Sequence, residues 1–203
     1  MQYEIEKKSL VSESKYKELL EFYSKNAKAV SHFNRFSIIY FNPPNIDEQI
    51  DLRIKITGKS CILSMKCGDW KKQLGRKEID TEFSLDNLEN LLETLHVLGF
   101  SIGTTILKER HDYNHKGFDI SLDKYKGEDS AVIEVEKTCG DSNSCSSLEC
   151  EVEGYLKQIG LKIITEKEFL KFIDKINARP KWSFDFNKTP IPEWITKNSI
   201  KFL

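Results

Sequence analysis

Charged residues recur two positions apart along this chain, and most such pairs hold a single sign. Glu4 stands with Glu6, and Lys8 extends the row. Arg53 stands with Lys55, Lys108 with Arg110 and Glu134 with Glu136, while Asp119 and Asp123 lie four apart with Ser121 between them on the same row. Arg76 stands with Glu78, and Lys66 ends a stretch of its own. The residues between are mostly apolar, among them Ile5, Ile54, Ile120 and Val135. In an extended strand, positions i and i+2 share a face. Paired carboxylates repel and raise one another's pKa unless a cation sits between them. Hard divalent ions such as Mg2+ and Mn2+ take such oxygens. Paired Arg and Lys call for an anion rich in oxygen, and phosphate fits them. Carboxylates for metal and cations for phosphate are the parts of phosphoryl transfer. An ordinary antiparallel sheet with one wet face would also alternate. It accounts less well for signs sorted strand by strand.

The elements that must position these residues follow from periodicity. Strands are predicted over 3–11, 35–42, 50–57, 60–66, 75–82, 102–113, 117–123 and 130–137, on alternation and on β-branched and aromatic content. Gly58-Lys59 reads as a two-residue hairpin turn. Helices are predicted over 13–29, 85–98, 147–159 and 166–177. Ser12 or Ser14 is placed to cap the first and Ser84 the second. The segment from Pro180, with Trp182, Phe184, Phe186, Trp194 and Phe202, reads as an extended tail covering apolar surface. About eight antiparallel strands with helices among them give an α+β class, and closing them into a barrel removes exposed edges.

A chain of 203 residues suffices for one domain, with a core about 1–178 and a tail over 179–203 packed on it. Its 31 Lys and Arg balance 32 Asp and Glu, so no global basic excess marks a general polyanion binder, and no DNA partner is expected. The five cysteines form no CxxC pair, which argues against a zinc ribbon and for reduced thiols in the cytoplasm. Residues Met1 to Lys8 carry charge at once and do not read as a signal peptide. No apolar run approaches the roughly 20 residues that span a bilayer, so no membrane partner is expected.

The ordered charge set resembles the CYTH, or triphosphate tunnel metalloenzyme, superfamily. Glu4-Ile5-Glu6-Lys7-Lys8 looks like its ExExK signature. Arg53 and Lys55 stand for its paired basic strand, Lys66 with Gly68 for K-x-G, Lys108 with Arg110 for K-x-R, and Asp123 and Glu134-x-Glu136 close the set. Two departures stand out: the stretch to Tyr40-Phe41 lacks the acidic residue often found there, and Lys126-Gly127-Glu128 replaces a Gly-Leu-Gly segment. The resemblance implies an eight-stranded antiparallel tunnel with a charged interior. Members hydrolyse inorganic triphosphate, thiamine triphosphate or nucleoside triphosphates; others cyclise ATP or remove the γ-phosphate from an RNA 5′ end.

On that resemblance Lys8, Arg53, Lys55, Lys66, Arg76, Lys108 and Arg110 would bind a triphosphate-containing small molecule. Glu4, Glu6, Asp123, Glu134 and Glu136 would hold Mg2+ or Mn2+. Glu4, Glu6 and Lys108 would be catalytic, with Lys108 orienting or deprotonating water if neighbouring cations lower its pKa. Glu78 would hold Arg76, and Asp119 is open between the two roles. The activity expected is a metal-dependent triphosphatase, with a class IV-type adenylate cyclase and a non-catalytic polyphosphate or nucleotide binder as alternatives. A homodimer is compatible with this reading. The four histidines, His32, His96, His111 and His115, are scattered with no pair at metal-ligand spacing, and read as surface or capping residues. Trp70 reads as a hairpin-end aromatic, and Glu149, Glu151 and Glu153 as a solvated helix face.

Overall fold

The computed structural model describes residues 3–43, 46, 50–67, 77–139 and 145–198, with backbone alone for 3, 4, 67, 77, 78, 139, 145 and 146. Arg76, Gly68 and Trp70 lie outside the described residues, as do the side chains of Glu4 and Glu78. In chain order the elements are β1 (Tyr3–Ser12), α1 (Glu13–Asn26), β2 (Lys28–Tyr40), β3 (Ile50–Thr57), β4 (Ser60–Cys67) and β5 (Lys77–Ser84). A 3-10 turn (Leu85–Asn87) leads into α2 (Leu88–Val97), followed by β6 (Ile102–His115), β7 (Phe118–Tyr125) and β8 (Ser130–Cys139). Then come α3 (Cys145–Gln158), α4 (Glu166–Asn177), β9 (Ser183–Asp185) and α5 (Ile191–Asn198). The α+β class and antiparallel pairing match expectation. The chain divides into two compact units, residues 1–33 with 108–173 and residues 34–107 with 174–203. β2 and β6 contribute one half to each.

In the first unit the ladder order is β1-β8-β7-β6-β2. Lys116-Gly117, with φ of 56° and 78°, makes a two-residue turn with both residues left-handed, matching the twist of a hairpin. That turn fixes Arg110 opposite Asp123. One face of this sheet is apolar: Val11, Tyr113, Ile120, Leu122, Ile133 and Val135 pack with α1 and α3. Helix α1 supplies Tyr16, Leu19 and Tyr23 at helical spacing, and Ser12 caps it by accepting from the Lys15 N–H at 3.3 Å. Burying Leu19 contributes about 1.5–3 kcal/mol. Glu149 and Glu153 pair with Lys7 at 2.5 and 3.2 Å, and Glu151 with Lys137 at 2.6 Å. These three glutamates therefore tie α3 to β1 and β8 rather than forming a purely solvated face.

In the second unit the order is β6-β2-β3-β4-β5, with β9 added on β6. Phe36, Ile38, Ile54, Ile56 and Cys61 form its core with Leu92 of α2 and with Phe184, Phe186 and Trp194. The C-terminal segment is thus a short strand and a helix rather than an extended tail, and it covers apolar surface as expected. At Gly103 the β6 backbone passes so close to its neighbours that an added Cβ would stand 2.1 Å from the Ile39 carbonyl oxygen.

Candidate active site

The charged pairs of the first unit fall on one face of its sheet, opposite the apolar core. The register makes them a grid. Glu6 stands opposite Glu136, which stands opposite Asp119. Lys8 stands opposite Glu134, Glu134 opposite Ser121, and Ser121 opposite Asp112. Arg110 faces Asp123, and Lys108 faces Tyr125. Period-two alternation on four adjacent antiparallel strands is enough to build this face.

Lys108 Nζ donates to Asp123 Oδ2 at 2.5 Å and lies 5.7 Å from the Tyr125 ring centroid. Arg110 spreads over four partners. Its Nε donates to Asp112 at 2.8 Å and its Nη2 to Glu134 at 3.1 Å. Its Nη2 also donates to Ser121, and Nη1 stands 3.6 Å from Asp123. Lys8 pairs with Glu6, and with Glu134 at 3.6 Å. Ser31 of β2 donates to Asp112 at 2.5 Å.

Burial and charge pull these groups in opposite directions. Burial opposes ionisation of Glu134, but Lys8, Lys108 and Arg110 overcome it and hold its carboxyl down at about 2. For Asp123, fully buried, loss of solvent outweighs the pull of Lys108 and Arg110 and raises the carboxyl above its usual range. Lys108 is lowered, first by burial and further by the Arg110 charge, against the opposing pull of Asp123 and Glu134. The expected depression by neighbouring cations is therefore secondary to desolvation. Asp123 Oδ1 is buried without a hydrogen-bond partner. A buried orphan oxygen of this kind fits a cation ligand; Glu6, Asp123, Glu134 and Glu136 offer the oxygens that hard divalent ions take, but among the described residues no three of their oxygens converge within 4.8 Å of one another.

Beside Lys8 the grid opens on a cavity of about 430 Å3, lined by Glu6, Ile164, Thr165, Glu166 and Phe169. Lys8 Nζ lies 5.0 Å from the Phe169 ring centroid, and its carbonyl accepts from the Ile164 N–H at 2.9 Å.

The second unit carries its own charged row. Arg53 grips Asp51 through two bonds of 2.6 Å, with Asp51 only 4% exposed. Lys55 stands 3.6 Å from Asp80. Lys66 is opposite Asp51 on the same face. Asp51 and Asp112, which hold the two arginines, escaped sequence reading, although each lies two positions from its arginine. Asp119, ambiguous in sequence, is exposed and accepts from its cross-strand partner Asn114 at 2.9 Å.

The family model described as CYTH domain matches residues 2–166. The chain belongs to the CYTH domain family. Solved structures agree on the fold. PH1819 from Pyrococcus horikoshii OT3 is 22% identical with a TM-score of 0.68, covering 86% of this chain and 100% of that one. A candidate adenylate cyclase from Vibrio parahaemolyticus is 16% identical with a TM-score of 0.63, covering 84% and 98%. HpAC1 from Hippeastrum, a candidate adenylyl cyclase described as having a dominant triphosphatase activity, is 18% identical with a TM-score of 0.56, covering 89% and 98%. At these identities the likeness is one of fold. No curated protein matches the chain by sequence. Among the described residues, no helix is long and apolar enough to cross a membrane.

Proposed function

We propose that this CYTH-family chain is a divalent-metal-dependent triphosphatase. The observation that carries the reading is the charged grid of the first unit, in which the orphan Asp123 oxygen stands among the cations Lys108 and Arg110. Lys8, Lys108 and Arg110 bind phosphate oxygens, releasing carboxylates that they occupy in the free protein. Glu6, Asp123, Glu134 and Glu136 would hold Mg2+ or Mn2+, which would neutralise phosphate charge and polarise a water. Water attacks the terminal phosphorus, the bond to the bridging oxygen breaks, and orthophosphate leaves a diphosphate behind. Lys108, with its pKa lowered by burial, is suited to take the proton of the attacking water at Nζ. Removing one such preorganised charge should cost about 100- to 1,000-fold in rate. Arg53, Lys55 and Lys66 form a second oxyanion-binding row whose contribution is measured by its own variants.

Phosphorus NMR on the protein with Mg2+ and a mixture of inorganic triphosphate, ATP and thiamine triphosphate tests this reading. Orthophosphate appearing from one of the three supports it. Cyclic AMP with pyrophosphate would replace it with a cyclase, in which the ribose 3′-oxygen attacks instead of water. Tight triphosphate binding with no turnover would reduce it to a binding module.

A further inference from the structure

Glu109 and His111 alternate with the charged residues of β6 and therefore project to the other side of the sheet. Their partners across the ladder, Lys124 and Leu122, share that side. There His32 of β2 joins them. The His32 Nε2 and the His111 Nε2 both lie against one oxygen, Glu109 Oε1, at 2.9 and 3.0 Å. The two rings are stacked, with centroids 3.9 Å apart and planes 11° from parallel. Among the described residues these three are the group whose His and carboxylate ligand atoms converge, all within 4.8 Å of one another. The sequence expectation of scattered histidines fails here, because β2 and β6 pair residues far apart in the chain.

We propose that His32, Glu109 and His111 form a binding site for a borderline divalent transition ion such as Zn2+, separate from the carboxylate grid. Two imidazole nitrogens and one carboxylate oxygen suit Zn2+, Ni2+ or Cu2+, whereas Mg2+ and Mn2+ prefer oxygen alone. A tetrahedral Zn2+ with bonds of about 2.0–2.2 Å holds its ligand atoms about 3.3 Å apart; the two nitrogen–oxygen spacings of 2.9 and 3.0 Å are near that value, and all three ligand atoms lie within 4.8 Å of one another. His111 is oriented in advance. It is 16% exposed and continues a ring stack through Tyr113, 6.5 Å away and 5° from parallel, to Tyr23. His32 is 58% exposed and free to turn its ring plane toward the ion. That turn is needed, because parallel stacked rings cannot both point a lone pair at one metal. The open side leaves room for water to complete the coordination. Without metal, the Glu109 carboxylate simply accepts from the imidazoles, and that arrangement is what a bound ion would displace. Occupancy would tie β2 to the middle of β6, where Lys108 and Arg110 alternate with Glu109 and His111.

The test is a calorimetric titration of the protein with Zn2+ alone, with long-range proton–nitrogen spectra of its four imidazoles. His96 and His115 serve as internal references, since each already spends Nδ1 on a hydroxyl, Ser101 and Tyr155 respectively. Zn2+ should bind and move the Nε2 signals of His32 and His111 while leaving the other two in place. His32→Ala and His111→Ala should each weaken binding at least about 100-fold, since even outer-shell changes at metal sites cost 10- to 100-fold. Absence of binding, or binding that leaves the His32 and His111 signals unmoved, would overturn the proposal. So would retention of the same affinity in both variants. The spectra of the unaltered protein decide the matter even if a variant folds poorly.

Discussion

Breaking the Lys108–Asp123 pair should cost far more than breaking a surface ion pair, and by an amount that depends on which partner is removed. The pair is 2.5 Å long, with Lys108 14% exposed and Asp123 wholly buried. An exposed pair of the same geometry would be worth about 0–1 kcal/mol. Removing one partner of a buried pair strands the other and costs about 3–5 kcal/mol. Lys108→Met leaves Asp123 with Arg110 at 3.6 Å, and burial already favours protonation of that carboxyl. The loss should sit near the lower limit, about 3 kcal/mol. Asp123→Asn leaves Lys108 buried beside Arg110 with Glu134 as the remaining carboxylate influence, and should approach the upper limit, about 5 kcal/mol. In the double variant neither charge is stranded, so its loss should fall short of the sum by about 2–3 kcal/mol. Urea unfolding at pH 7, followed by circular dichroism, measures all four corners of this cycle. Additivity within about 0.5 kcal/mol would show that the two groups do not form a buried pair, and would refute the reading of the grid as preorganised charge.

Three further outcomes follow from contacts elsewhere. Tyr155→Phe removes the hydroxyl shared by Tyr23 at 3.0 Å and His115 Nδ1 at 2.6 Å; the unfolding midpoint should fall with a loss of about 1–3 kcal/mol. Gly103→Ala forces a Cβ against the Ile39 carbonyl and to 2.7 Å from the Phe184 ring, so thermal unfolding should show a loss of about 3 kcal/mol or more. Glu168 accepts from the Thr165 N–H at 2.7 Å at the start of α4, and the bonds hold its carboxyl down at about 2. Because the folded pKa is depressed, the cap stabilises fully above about pH 4.5 and fades as pH falls toward 2; the Glu168 carboxyl carbon should titrate near 2 by NMR, and a midpoint near 4.5 would contradict the cap.

The charged face was legible because its signal is local. Alternation at i and i+2 is written in any strand, and Glu6, Lys8, Lys108, Arg110, Glu134 and Glu136 needed only neighbouring strands to become a grid. Strand β2 was harder. It begins at Lys28 rather than 35, because the helix stops at Asn26 and the exposed residues that follow carry no hydrophobic period. The C-terminal segment folds as α5 because Ile191 and Trp194 share one helical face with Pro190 just before the helix, where a proline needs no N–H. The His32, Glu109 and His111 cluster was illegible for a different reason. Its geometry depends on which strands pair, and no local periodicity specifies a partner so distant in sequence. The ring stack of His111 on Tyr113 likewise appears only once β6 is extended.

The most direct test of the central claim is orthophosphate release from inorganic triphosphate, with Mg2+ or Mn2+ and after chelation, for the unaltered protein and for Glu134→Gln. Glu134 stands opposite Lys8 and pairs with Arg110 at 3.1 Å, so circular dichroism establishes that the variant is folded before its rate is compared. Metal-dependent release that falls about 100-fold or more in the variant is the predicted result. Release that survives both chelation and the substitution, or no release from any triphosphate by a folded protein, would contradict it.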